Sequence, residues 1–348
     1  LALCTSNLPA PEIALPGEHF NTVLWTGNAT ARSITGVGFQ PDMWWCKNRE
    51  SSSENHRLQD VVRGATNQIY PNATSSQDTG VAQDLLSFDS DGFSIGTDNG
   101  CNESGNEIVA WNWKAGGSGV ANEEGSISST VSANTTAGLS ICKYVGTSSA
   151  TTYGHGLSKA PELVINKNLT SSDAWPVYDE DLTSAVYVIE LNSDAAEYSD
   201  SDIWNSLAPS STVVNIGNNA KINYTGRDYI SYCFHSVEGY SKVGVYEGNG
   251  NADGPFIYTG FKPAMLIFKN TSTNGTSWDI LDNKRDTYNA VSAWLLVNTT
   301  AAEGDDAMVD FLSNGFKLRI TADEANKSGD TLIYIAFAES PFKYSNAR

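Results

Sequence analysis

Residues able to do chemistry are present, but in incomplete sets. Tyr178-Asp179-Glu180-Asp181 places three carboxylates in a row. Glycoside hydrolysis needs such a pair, one carboxyl as acid and one as base or nucleophile. However, Asp60, Asp179 and Asp282 each follow a proline (Pro41, Pro161, Pro263) by 18 or 19 residues. A carboxylate that returns on a fixed landmark is expected to hold a turn through local hydrogen bonds, so no catalytic residue is assigned. Asp89-Ser90-Asp91-Gly92 opens like a calcium loop but lacks the third carboxylate and the distal Glu. A glycine turn accounts for it. The acidic stretches Asp98–Glu103 and Asp194–Asp202 read as solvated surface. His19, His56, His155 and His235 sit on no shared landmark. There is no GxSxG elbow, no HExxH and no GxxxxGK[ST]. The sequence predicts a non-enzyme with no catalytic metal and no cofactor.

The remaining polar and sulfur chemistry points to binding or modification. Five cysteines, Cys4, Cys46, Cys101, Cys142 and Cys233, lie at irregular spacings without a CxxC, which argues against zinc and against a dense disulfide framework. Cys142 and Cys233 are the one pair proposed for a bridge, with buried free thiols as the alternative. Of nine tryptophans, Trp175, Trp278 and Trp113 recur on landmarks and read as core. Trp45, Trp204 and Trp294 are left as candidates to stack on a glycan or partner. Ten N-x-[ST] sequons occur, and Asn72, Asn102, Asn134 and Asn274 are the candidates for glycosylation.

Charge narrows the partners. Forty acidic against 21 basic residues give a net charge of −19 over 348 residues. Without a basic stripe, phosphate neutralisation fails, so nucleic acid is excluded as a partner. No apolar stretch reaches the roughly 18 residues of a spanning helix, so membrane insertion is excluded too. Only 18% of residues are charged, against about 25% in typical domains. Ser, Thr and Asn supply the polar surface, a composition suited to strands and turns. The chain opens Leu1-Ala2-Leu3-Cys4, which lacks a charged or long apolar signal and reads as processed or partial.

The elements that must position these residues come from an internal repeat. Each copy opens aromatic-x-Gly: Trp25-Thr26-Gly27, Tyr144-Val145-Gly146 and Tyr246-Glu247-Gly248. Six residues beyond each landmark proline stands Lys-Asn: Lys47-Asn48, Lys167-Asn168 and Lys269-Asn270. Each copy closes on an apolar strand whose paired residues share one face: Trp111 with Trp113, Tyr232 with Phe234, Ile335 with Phe337. The expected fold is all-β, with three tandem β-sandwich modules of jelly-roll or Ig-like type packed in sequence. The boundaries are an extended arm at 1–19, modules at 20–117, 138–236 and 242–348, and a linker at 118–137. A short helix is expected over 301–312. In the arm, Leu1, Ala2, Leu3, Cys4 and Thr5 alternate, and Ile13 and Leu15 add a second apolar alternation. Such an arm suits addition to a sheet edge, in another copy or in the chain itself.

The runs Val37-Gly38-Phe39-Gln40-Pro41-Asp42, Val62–Thr66 and Val109–Gly117, with the ending Phe342–Arg348, resemble an uncharacterised family of repeat proteins encoded by tailed phages and in environmental metagenomes. The resemblance implies a virion or tail-fibre component and transfers no catalytic residue. Three functions are therefore expected, in descending order. The first is an extracellular or virion structural protein that polymerises head to tail with itself by strand donation. The second is a module that binds surface glycans or a receptor. The third is a glycan-active hydrolase.

Overall fold

A computed structural model describes residues 7–345. It is nearly all β, with five sheets. A four-stranded sheet runs β1 (Phe20–Thr26), β7 (Glu107–Trp113), β3 (Met43–Asn48), β4 (Arg57–Asp60), faced by β2 (Arg32–Thr35), β6 (Gly92–Ile95), β5 (Leu85–Asp89). An eight-stranded sheet runs β15 (Tyr198–Ser199), β14 (Tyr187–Glu190), β13 (Pro176–Asp179), β12 (Leu163–Asn168), β17 (Asp228–Phe234), β10 (Leu139–Val145), β9 (Ser129–Asn134), β8 (Val120–Asn122). The pair β11 (Thr151–Gly154) and β16 (Val213–Ile216) faces it. The last sheet runs β18 (Ser241–Glu247), β25 (Thr331–Pro341), β20 (Phe261–Asn270), β21 (Trp278–Asp282), β22 (Val291–Leu296), β23 (Gly304–Leu312), β24 (Gly315–Leu318), β19 (Phe256–Tyr258). One antiparallel order thus returns three times: β1-β7-β3-β4, β10-β17-β12-β13 and β18-β25-β20-β21.

The pleat explains why the closing strands are apolar on both faces. Along β7, Ile108 and Ala110 face a core belonging to the first copy alone, while Val109, Trp111 and Trp113 face the opposite way. In β17, Tyr229 and Cys233 face the second copy's own core, and Ile230, Tyr232 and Phe234 face away. In β25, Leu332, Tyr334 and Ala336 do the first, and Ile333, Ile335 and Phe337 the second. All nine outward-facing side chains meet in one cluster built from the three copies. Phe337 lies near its centre, with ring centroids 5.1 Å from Phe20, 5.6 Å from Trp113 and 6.0 Å from Phe234. The copies are therefore not beads in a row. Each sheet needs a cover on its second face, and the other two copies provide it.

Each aromatic-x-Gly landmark is a clamp. Trp25 Nε1 donates to the Cys101 carbonyl, Tyr144 OH to that of Ile222, and Tyr246 OH to that of Ala325. The next residue in each case, Asn102, Asn223 or Asn326, is buried and donates Nδ2 to two main-chain carbonyls. Glycine is required beside the clamp. A Cβ at Gly27, Gly146 or Gly248 would lie 2.0–2.4 Å from a carbonyl oxygen.

Three expectations change. Residues 118–137 contain β8 and β9 and extend the second sheet, because Ser129–Asn134 alternates and turns tightly back onto β10. Residues 301–312 contain the strand β23 rather than a helix; its Met308, Val309 and Phe311 pack in the third copy's core. The arm lies on its own chain over 8–13. Glu12 N donates to the Glu238 carbonyl at 3.1 Å, Lys343 Nζ to that of Leu8 at 2.8 Å, and Ile13 is buried in the shared core. Leu15 is 62% exposed. Leu1, Ala2, Leu3, Cys4 and Thr5 lie outside the described residues.

Candidate functional site

Several fully buried polar groups lie where copies meet. Asp60 Oδ1 accepts from Val62 N and Arg63 N. Its Oδ2 accepts from Arg63 Nε at 2.6 Å and from the second copy's Tyr232 OH at 2.7 Å. Asp282 repeats this: Oδ1 takes Lys284 N and Arg285 N, while Oδ2 takes Arg285 Nε at 2.6 Å and the first copy's Trp111 Nε1 at 3.0 Å. Asp179 accepts from Asp181 N, but Leu182 stands where the arginines stand, and the third copy carries Ile335 in the place of Tyr232 and Trp111. Burial without a cation pushes the Asp179 carboxyl well above the usual carboxylate range. Burial also raises Glu180 and Asp181.

A second set crosses the same junctions. Lys47 Nζ donates to four carbonyls, Asn48, Ser51, Glu54 and, from the third copy, Thr300. Lys167 donates to Asp173 and to the first copy's Thr74. Lys269 donates to the Asn270 carbonyl and to Thr276 Oγ1, and Thr276 N in turn donates to the second copy's Asp194 carbonyl. Desolvation lowers all three amines to about 8. The rings follow suit. Trp175 Nε1 donates to Ala73 of the first copy, Trp278 Nε1 to Glu190 of the second, and His56 Nε2 bonds Leu296 of the third. His56 thus does hold a repeated place, hidden because its ring differs from the two indoles. Burial lowers it to about 3, so the neutral ring takes Trp45 Nε1–H on Nδ1 at 3.0 Å.

One ionisable cluster belongs to the first copy alone. Arg57 donates Nε to Asp84 at 2.7 Å and Nη2 to Asp98 at 2.5 Å and Glu54 at 2.8 Å. Cys101 joins Asp84 and Asp98 to bring three ligand-type atoms within 4.8 Å of one another. The guanidinium is already the cation at their centre. A Cβ on Gly100 would strike Arg57 Cζ at 1.7 Å, so the loop closes over it. Burial pushes Asp84 up to about 6. The arrangement is a buried ion network, a poor fit to a metal.

An open feature lies between the first and third copies. A cleft of about 340 Å³ is lined by Phe20, Asn21 and Thr22 on one side and Asn283, Lys284 and Thr287 on the other.

A family model described as a domain of unknown function, DUF7483, matches residues 15–341. The chain belongs to the DUF7483 family. No curated protein and no solved structure matches it.

In this DUF7483 chain the residues singled out by sequence are mostly interior. Trp45 and Trp204 are 2% and 1% exposed, so neither presents a stacking face. Trp294 is half-buried against Gly304, its Nε1 directed at Asp306. Cys142 and Cys233 are buried thiols, set diagonally because Cys142 opposes Ser231 and Cys233 opposes Ser140. Asn102 is consumed by its clamp. Asn72 Oδ1 accepts from His56 N, Asn134 Oδ1 from Ala137 N, and the exposed Asn274 from Ala196 N. Asp89 pairs with Gly92 across the β5–β6 hairpin, the turn expected there, and Asp91 Oδ1 accepts from the distant Gly38 N at 2.7 Å. Sequence reasoning missed the Arg57 network and the cleft. Arg63 and Arg285 were within reach, since both stand three residues after a recurring Asp.

Proposed function

We propose that the chain is a non-enzymatic structural protein that works outside the cell or in a virion, as a subunit of a fibre or phage tail built head to tail from its own copies. The observation that carries this reading is the junction architecture. Lys47, Lys167, Asp60, Asp282 and the rings of Trp175, Trp278 and His56 each bond the main chain or a side chain of another copy, around one shared core. That use of polar groups builds a rigid block. Leu1, Ala2, Leu3, Cys4 and Thr5 serve in this reading as the donated strand, with Ile13 as the anchor that fixes where it leaves the block. Negative-stain microscopy of the purified chain tests it. Regular filaments or rods are expected, and a dispersed monomer at high concentration refutes it.

A second reading, a glycan-binding adhesion module, draws on β19. Phe256 and Tyr258 lie two apart on one face and are 46% and 56% exposed, a platform on which a sugar ring can stack. Glycan-array binding by the monomer, abolished by Tyr258→Ala, would favour it over the first.

A further inference from the structure

The first strand of each copy meets a different neighbour on its outer edge. In the second copy β9 pairs along β10, Asn134–Ser129 against Leu139–Tyr144. In the third, the lead-in caps β18: Ser241 N donates to the Val237 carbonyl at 3.0 Å and Val243 N to Ser236 Oγ at 3.0 Å. In the first copy β1 pairs with β7 alone among the described residues, as β18 pairs with β25 alone, but β1 has no such cap at its start. Its lead-in passes through a 3-10 turn at Pro16–Glu18 instead of folding back along the strand.

The uncovered edge opens onto the 340 Å³ cleft. At the junction of the first and second copies the matching space is filled. There Gly119, at the entrance to β8, comes close enough that a Cβ would lie 3.4 Å from Val62. Val62 follows Asp60 by two residues, as Lys284 follows Asp282. The strand pair β8–β9 thus occupies in one junction what stands open in the other.

Two residues that line the cleft carry an unpartnered polar atom just beneath its surface: Thr22, 5% exposed, at Oγ1, and the half-buried Asn283 at Oδ1. At the place of Thr22 the other copies carry the aliphatic Ile141 and Val243. Burying such groups unpaired is unfavourable, because their hydration is lost without replacement. Beside a free strand edge, the ligand that supplies both donors and acceptors in series is an extended main chain.

We infer that the outer edge of β1 is the acceptor for an added strand, and that its occupant is Leu1–Ser6 of a second copy. The inference rests on the assembly reading above and names the surface that reading leaves open. Leu1, Leu3 and Thr5 fall on one face of such a strand, as Val131 and Ala133 of β9 do over the second copy's core. The segment departs from Leu8, which Lys343 Nζ holds at the end of the third copy. Donation from there to the next molecule's β1 is heterologous and therefore repeats into a filament.

Sedimentation velocity on three proteins spanning residues 1–348 and one truncation tests this. The native chain should run as concentration-dependent oligomers. The chain lacking Leu1–Ser6 should run as a monomer, as should Thr287→Trp and Lys284→Trp, which fill the cleft from its exposed rim. Circular dichroism should be unchanged in all four. If the truncation is monomeric but both rim variants assemble like the native chain, the strand is received elsewhere; the inference falls and the assembly reading stands. If the truncation still assembles, donation by the arm falls as well. A native chain that stays monomeric, as it would with its own segment in the cleft, overturns both.

Discussion

Replacing aspartate by asparagine at positions 60, 179 and 282 should change stability in opposite directions, although the three side chains hold equivalent turns. At Asp60 and Asp282 the carboxylate faces a guanidinium at 2.6 Å with almost no solvent, the side chains of both partners being 0–1% exposed. Asparagine keeps the turn but sets an NH2 group against the guanidinium. Arg63 is then left without a carboxylate, and removing one partner of a buried pair costs about 3–5 kcal/mol; Arg285 keeps Glu303 at 2.9 Å, so the loss at position 282 should be smaller. Asp179 has no guanidinium, and burial holds its carboxyl well above the ordinary range. The folded chain therefore binds that proton more tightly than the unfolded chain, whose aspartate titrates near 3.9. Native stability contributed by this group is intact below pH ~4 and falls by about 1.4 kcal/mol per unit as pH rises, until the raised folded value is passed. Asparagine removes the loss. Urea denaturation of the three variants at pH 4 and pH 7.5 reads the effect. Asp60→Asn and Asp282→Asn should be destabilised at pH 7.5. Asp179→Asn should match the native chain at pH 4 and exceed it in stability at pH 7.5. Three losses of similar size would refute the argument that position 179 is an unpaired charge.

Nζ resonances of Lys47, Lys167 and Lys269 should titrate near pH 8, against about 10.4 for an unfolded lysine. In that window the unfolded chain holds more protons, so each amine adds a stability term that grows from pH 8 upward; Lys47→Met should remove its share, and titration at 10 or above would contradict the burial. Imidazole NMR should show His56 as the neutral Nε2–H tautomer down to pH 5, since its folded value is about 3 and Trp45 already donates to Nδ1; a charged ring at pH 5 would rule out the Trp45 bond. Phe337→Ala should cost about 3–5 kcal/mol, because its ring touches three copies, whereas Phe256→Ala, 46% exposed, should cost far less; equal costs would mean that the core is not shared. Peptide mapping after expression in a glycosylating host should find Asn102, Asn223 and Asn326 unmodified, since the side-chain amide of each is spent on two carbonyls.

The sequence by itself determined the strands and their repetition. Alternation of Trp111 with Trp113, or Ile335 with Phe337, follows from the two-residue pleat, which any strand obeys whatever it packs against. Aromatic-x-Gly and the Asn of Lys-Asn were legible for a similar reason: each serves main chain of its own copy, so selection by the local fold writes it three times. What the pleat cannot tell is which neighbour covers a face. The same apolar row fits a private sandwich or a core shared by three sheets, and only tertiary packing chose the second. Trp45 illustrates the limit. As the neighbour of Trp44 it had to face the other way, but that way leads into the shared core and to His56 rather than to water. The stretch 118–137 looked like a linker because Ser, Thr and Gly dominate it; an edge needing a partner turned it into β8 and β9. The Arg57 network and the cleft at Thr22 and Asn283 join residues far apart in the chain. They occur once and follow no period, so no pattern announced them. Local geometry is written in spacing, whereas the junctions are settled by the long-range closure that brings β1 beside the turn at 283–287.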